Sequence, residues 1–295
     1  MVTSMQFSAA DCLALVERSP AAVAAHDRQA WLSLFARYNL VEDPVGSAPH
    51  IGGIYDARSG YRSDAHLLRF YHTFIAPNAI RFDVERDIVC GLHVVRDLAI
   101  EITMAPGVVV RVPMHLLYEL TVEGAELKIF RLAAHWELWP MLRQQAAAGW
   151  PMLRVGTAST LRMLRHQGIL GTAGFLRALS SVGEAGKQQV QRFAQYFNAG
   201  DTAALRRLFA APDTPVAFPC GQRELTPAAC AAEGGVIRFD KLLAAGNVVS
   251  ASVDYTNGGE HTRGVAFFEL DKRRLLIVGT SFYWSGGAGG VDISA

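Results

Sequence analysis

From Val110 to Leu120 the even-numbered positions, Val110, Val112, Met114, Leu116, Tyr118 and Leu120, form an apolar face, with Arg111, His115 and Glu119 opposite. Strict alternation predicts a strand with one side on a core. Segments near Ile80 to Val84, His93 to Met104, Val108 to Leu120 and Leu127 to Trp136 share β-branched enrichment and flanking turn residues, and read as a meander. Gly235 to Phe239, Val248 to Tyr255, Arg263 to Leu270 and Arg274 to Tyr283 read the same way. Ahead of each meander the spacing becomes helical. Trp31, Leu34 and Phe35, and later Leu205, Leu208 and Phe209, stand at i, i+3, i+4, each group after an aspartate placed to cap the helix.

These two groups belong to a repeat. Ala25-His26-Asp27 with Leu34-Phe35 recurs as Ala199-Gly200-Asp201 with Leu208-Phe209, offset by 174 residues. Helices first and a curved antiparallel sheet afterwards predicts an α+β cone in each half. Trp139 to Lys187 differs: its leucines, methionines and phenylalanines are spaced as amphipathic helices broken by glycines, so a structured helical connector is expected. The expected division is 1–137, 138–187 and 188–295. Arg143, Arg154, Arg162, Arg165 and Arg177 give the connector a basic face, read either as the solvated side of packed helices or as a surface for an anionic membrane.

With 295 residues, 51% hydrophobic and 19% charged, the chain can bury two cores and is globular. Its 28 basic and 27 acidic residues nearly cancel and no basic cluster interleaves with aromatics, which argues against a nucleic-acid partner. Cys12, Cys90, Cys220 and Cys230 lack metal-type spacing and are expected to be reduced and buried. The N-terminus lacks a basic start with an apolar core, and the apolar run Gly168 to Leu176 is shorter than the roughly 20 residues of a membrane span, so a cytoplasmic protein without an integral membrane segment is expected. No nucleotide loop, nucleophile elbow or helical metal motif is found, so neither cofactor nor metal is expected, His93, His135 and Glu137 included.

The chemistry sits in Val41-Glu42-Asp43-Pro44-Val45-Gly46-Ser47. Asp43 has two readings. It is either a turn residue bonding nearby backbone ahead of Pro44, or a carboxylate held against Leu32, Phe35, Leu40, Val41 and Val45, where desolvation makes it a stronger base for a carbon acid.

On this motif, the first half resembles Δ5-3-ketosteroid isomerase, within the NTF2-like or SnoaL-like superfamily. Arg69-Phe70-Tyr71 is similar to a Phe-Tyr pair on the family's third helix, after an insertion near Ile54 to Ser63. Pro113-Met114-His115 stands where the family has Pro-Ile-Asp, and Lys128 to Trp136 resembles the closing strand of the pocket. The likeness covers roughly Ala9 to Trp136. The second half matches the scaffold only, with Phe218-Pro219 where the base and its proline would be.

The resemblance implies tandem NTF2-like cones and a cofactor-free aspartate base, Asp43, that moves a proton α to a ketone of a steroid-like or polyketide-like substrate. It also implies an oxyanion hole of a tyrosine and a protonated aspartic acid. The family spacing puts Ser19 at the tyrosine position and His115 at the acid position. Ser19-Pro20 reads as the N-cap and first residue of a new helix. His115 is pulled two ways: the family spacing points it inward, while the alternation points it away from the core and leaves Tyr118 as substitute donor. Phe70, Tyr71 and Trp136 complete the expected substrate contacts, while His66, His72 and Tyr61 are expected to face solvent. The alternatives are a non-catalytic binder of a hydrophobic small molecule and a SnoaL-like cyclase or dehydratase. Relatives dimerise through the outer face of the sheet, so an intrachain pseudo-dimer or a homodimer is implied.

Overall fold

The structure, a computed structural model, describes residues 7–55, 62–147, 150–220, 223–284 and 290–293. Its first unit opens with α1 (Ala9–Ala24), α2 (Arg28–Ser33), β1 (Phe35–Glu42), β2 (His50–Gly52) and the short β3 (Ile54–Tyr55) and β4 (Arg62–Ser63). It returns through α3 (Ala65–Phe70) and a π-helical turn at Tyr71–Ile75 into β5 (Ala79–Cys90), β6 (His93–Ala105), β7 (Val108–Glu123) and β8 (Glu126–His135). The connector holds α4 (Leu138–Ala147), α5 (Trp150–Leu176) and a tight turn at Arg177–Leu179. The second unit runs α6 (Gly183–Asn198), α7 (Thr202–Arg206), β9 (Val216–Phe218), β10 (Arg223–Leu225), α8 (Pro227–Ala232), β11 (Val236–Ala245), β12 (Val248–Asn257), β13 (Glu260–Leu270) and β14 (Ile277–Trp284). A last strand, β15 (Gly290–Ile293), pairs with β5, so the C-terminal residues extend the first unit's sheet.

The expected α+β class, two cones of helices on a curved sheet, is the observed one. Strand orders are β15-β5-β6-β7-β8-β1-β2 and β10-β9-β14-β13-β12-β11. The repeat is visible bond by bond. Asp27 accepts from Ala30 N–H at 2.9 Å and Asp201 from Ala204 N–H at 2.9 Å. The carbonyls of Leu34 and Leu208 each accept at 2.8 Å, from Ile129 and Ile277. Those bonds correct one expectation: α2 ends at Ser33, and Phe35 begins β1 opposite Ile129. The Leu-Phe pair of each copy leaves its helix because its carbonyl is captured by the closing strand.

Ser19-Pro20 starts no helix; α1 runs through both. Val16, Ser19 and Val23 fall on one buried stripe, and Pro20 forfeits only one helical donor in exchange for burying that face. The helix starts instead at Ser8, which shares a reciprocal capping box with Asp11.

The two sheets meet across an apolar patch that includes Val45, Ile88, Val95, Leu117, Val265 and Phe267. The outer face of the first sheet is thus covered by the second unit of the same chain. Here the expectation for the cysteines needs correcting. Cys12 and Cys230 are free and buried, but Cys90 and Cys220 form a disulfide across the boundary, their Cα atoms 5.2 Å apart. Partners separated by 130 residues carry no spacing signal; the packing of the sheets brings them together.

Candidate active site

A cavity lies between the concave face of the first sheet and its helices, with about 910 Å³ of unfilled space, its open mouth included. Its walls are apolar, from Phe70, Phe82, Ile100, Met114, Leu132 and others. The polar side chains among its lining residues are Ser19, Asp43, Asn78 and Tyr118, with the indoles of Trp31 and Trp136. Asn78 is already committed, donating to the Phe74 carbonyl at 2.8 Å.

Asp43 leaves β1 at the pocket edge. The Trp136 indole N–H donates to its Oδ1 at 2.6 Å. Burial among the apolar walls pushes the carboxyl pKa up to about 6, with the indole hydrogen bond opposing that shift. The loop is held firmly. Val45 N–H donates to the Ala134 carbonyl at 2.9 Å, and Val45 enters the patch between the units. Gly46, at φ 93°, meets Gly246 of the second unit so closely that a Cβ on Gly46 would fall 2.4 Å from the Gly246 Cα. Only glycine fits on either side, and the second unit thereby buttresses the loop that carries Asp43.

Tyr118, 1% exposed, projects from β7 into the cavity, whose wall it shares with Ser19 of α1, and the Ser19 hydroxyl acts on the phenol in the direction that favours its ionised form. Burial raises the phenol's pKa, so it stays a protonated donor. Beneath it lies a feature the sequence reading missed. Arg96 and Asp87, directly opposite each other on β6 and β5, form a bidentate pair at 2.6 and 2.9 Å, buried to 4% and 6% exposure. The Arg96 charge acts on Tyr118 in the direction that makes it more acidic. The signal was an arginine interrupting the apolar even-numbered face of β6, opposite an aspartate in cross-strand register.

The expected residues do not all converge. Ser19, Asp43, Phe70, Tyr118 and Trp136 line the cavity. Tyr71 does not; it packs on Trp31 at 5.9 Å and borders a separate surface depression with Asp27 and Arg28. His66 and His72 are half-buried instead of solvated, and Tyr61 lies outside the described residues.

His115 is also corrected. The alternation of β7 holds through it, with Met114, Leu116 and Tyr118 inward, and His115 is fully buried on the opposite face, against the second unit. Its Nδ1 lies 2.8 Å from Ser250 Oγ and its Nε2 3.1 Å from Ser252 Oγ. Ser252 gives its proton to Asp97 Oδ2 at 2.6 Å, so its oxygen accepts, which puts a proton on Nε2 of His115. Lys241 completes the cluster, bridging Asp97 and Glu85. Burial of Asp97 is outweighed by hydrogen bonds from His115, Lys241 and Ser252, which hold its carboxyl well below the usual range.

The connector reaches the site as well. Met141 of α4 and Phe175 of α5 line the cavity, and Phe175 stacks on Phe74 at 5.2 Å. Among the described residues no helix is long and apolar enough to cross a membrane.

No protein-family model and no curated protein matches the chain. Among solved structures, the Δ5-3-ketosteroid isomerase from Mycobacterium sp. aligns at 29% identity over 43% of this chain and 92% of its own, with a TM-score of 0.35. A Mycobacterium tuberculosis protein solved with estradiol-17β-hemisuccinate aligns at 24% identity over 44% and 96%, TM-score 0.36. An M. tuberculosis LEH-like epoxide hydrolase aligns at 16% identity over 52% and 96%, TM-score 0.36.

Proposed function

We propose that the first unit is a cofactor-independent isomerase that moves a proton α to the carbonyl of a hydrophobic, steroid-like or polyketide-like ketone. The observation that carries this reading is Asp43, a carboxylate in an apolar cavity with its pKa raised to about 6. Such a group is ionised near neutral pH and is a stronger base than an ordinary aspartate, which suits abstraction from carbon.

In the proposed reaction, on a β,γ-unsaturated ketone, Asp43 takes the α proton, the C–H electron pair moves into a dienolate, and the protonated carboxyl returns the proton to the γ carbon, leaving the double bond conjugated with the carbonyl. The negative charge grows on the ketone oxygen. Tyr118 is the donor for that oxygen, with Ser19 holding its hydroxyl and Arg96 strengthening it from below. The pair implied by the family resemblance is thus exchanged: a hydroxyl from the helix and a phenol from the strand. His115 has no part in the chemistry; it belongs to the joint with the second unit. That unit, with Phe218 where a base would stand, serves as a fixed partner that supports the Asp43 loop.

Formation of a conjugated enone from 5-androstene-3,17-dione, followed in the ultraviolet, tests this reading. Wild type converts it, and Asp43→Asn, which keeps shape but cannot accept the proton, loses ~10²–10⁴ in rate. Equal turnover by both proteins would sink the assignment. Steroid binding by a folded protein that turns over nothing would leave a binding protein in its place.

A further inference from the structure

We propose that α5 docks this protein on the surface of an anionic lipid bilayer. The first observation is charge. From Leu138 to Gly183 the sequence has five arginines, Arg143, Arg154, Arg162, Arg165 and Arg177, and neither an aspartate nor a glutamate. The whole chain is nearly neutral, so the connector carries a net positive excess while the remainder, 23 basic against 27 acidic residues, is net acidic. A solvated helix face normally mixes both signs; a segment with one sign only is matched to a surface of the other.

The second observation is where the apolar residues point. Gly168, at φ 69°, breaks α5 into two helical arms. Its positive φ requires glycine, and a side chain there would meet nothing within 4 Å, so the elbow stands clear of the protein. The two residues after it, Ile169 and Leu170, are 79% and 88% exposed, the most exposed large hydrophobics among the described residues. Leu161, Leu164 and Arg165 lie at i, i+3, i+4 on the exposed face of the first arm; Ile169 and Leu176, one heptad apart, are exposed on the second, and Arg177 is exposed in the turn that follows it. An apolar crest flanked by arginines is the arrangement of a helix that lies in the headgroup region.

The third observation is that α5 is anchored on its other side. Gln167 donates to Thr73 at 3.2 Å, the Gly174 carbonyl accepts from Ala48 N–H at 2.9 Å, and Phe175 faces the cavity. The crest is therefore exposed on a helix that is already packed, and solvent exposure of its leucines serves no folding purpose. A bilayer with anionic headgroups satisfies both the crest and the arginines beside it.

Flotation of the full-length protein with vesicles of phosphatidylcholine and phosphatidylglycerol in equal parts, against phosphatidylcholine alone, tests the proposal. Wild type is expected to float with the anionic vesicles and to be released by salt, because exposed charges are screened. Ile169→Asp with Leu170→Asp is expected to abolish flotation while leaving the fold intact by circular dichroism. Arg162→Gln and Arg165→Gln each weaken it about fivefold, the equivalent of ~1 kcal/mol per arginine. Failure of folded wild type to bind anionic vesicles overturns the proposal, as does equal binding to neutral vesicles. A dimer in sedimentation that the double aspartate variant splits, without vesicle binding by either, would assign the crest to a second copy of this chain.

Discussion

Trp136, one residue beyond β8, donates its indole N–H to Asp43 Oδ1 across 2.6 Å, tying the closing strand to the carboxylate in the cavity. The bond favours the charged form of a group that burial otherwise drives toward neutrality. Trp136→Phe removes it and keeps the apolar wall. A hydrogen bond to a charged group is worth ~1.5–3 kcal/mol, so the Asp43 pKa is expected to rise by about 1–2 units from its value near 6. The acid limb of kcat/KM for the androstenedione isomerisation then moves to higher pH by the same amount. An unmoved limb would mean that another group titrates in the profile.

Asp43 also makes a signed statement about stability. Its pKa is about 6 in the folded chain against 3.8 for the free group, so folding favours the protonated carboxyl. The stabilisation this gives is complete below about pH 4 and is lost as pH rises through about 6. Asp43→Asn escapes that loss. The variant is expected to be more stable than wild type by about 1–3 kcal/mol near pH 8 and equal to it near pH 4, measured by urea unfolding at the two values. A difference independent of pH would remove the carboxyl's ionisation as its source.

Tyr118 and Ser19 are separable by their order of contact. If Tyr118 donates to the developing oxyanion and Ser19 only to Tyr118, then Tyr118→Phe costs ~10² in kcat with little change in KM, as loss of an oxyanion donor does. Ser19→Ala, one hydrogen bond removed from the substrate, costs about fivefold. A larger effect at Ser19 than at Tyr118 would invert the assignment.

Much of this site was legible before the structure, and the reasons differ residue by residue. Asp43 stood out because its motif resembles the base segment of ketosteroid isomerase; the local pattern of a carboxylate before proline fitted a turn residue equally well. Tyr118 followed from strand parity as a substitute donor, whereas His115 was drawn toward the site by the family spacing although the alternation pointed it to the far face, where it lies. The repeat was legible because the same capping aspartate and Leu-Phe pair recur at a fixed offset. What escaped was what depends on distant partners. The Cys90–Cys220 bridge, the Arg96–Asp87 pair and the contact of Gly46 with Gly246 join residues that local pattern cannot relate. Ser19-Pro20 misled because capping chemistry is local, whereas burial of the Ser19 stripe on α1 is tertiary and prevailed.

The joint between the units rests on buried polar groups, and these fail in a characteristic way. His115 and Ser250 are both fully buried, and Asp97 is 6% exposed. Lys241→Met leaves the Asp97 carboxylate without its cation, and breaking a buried pair from one side costs ~3–5 kcal/mol. Part of that is recovered here because Lys241 retains some exposure and Ser252 still donates to Asp97. A loss of about 2–3 kcal/mol in unfolding free energy is expected, with kcat/KM at its plateau unchanged because the cluster does not touch the cavity. A fall in kcat that leaves stability intact would place the cluster in the reaction after all.

The disulfide makes the last claim about the joint. Cys90 ends β5, Cys220 follows β9, and β15 pairs with β5 alongside them, so the bridge fastens the second unit to the edge of the first sheet. Alkylation of the unfolded chain without reductant is expected to label Cys12 and Cys230 alone, and all four cysteines after reduction. Labelling of all four from the start would show that the bridge does not form. Where it forms, joining residues so far apart restricts the unfolded chain, and replacing both cysteines by serine is expected to lower stability by ~2–4 kcal/mol. Because the same boundary supports Gly46 and the Asp43 loop, the loss extends to function: the double variant should show a lower kcat for the androstenedione reaction with KM little changed. A double variant that loses stability but keeps full kcat would mean that the Gly46–Gly246 contact holds the loop without help from the bridge.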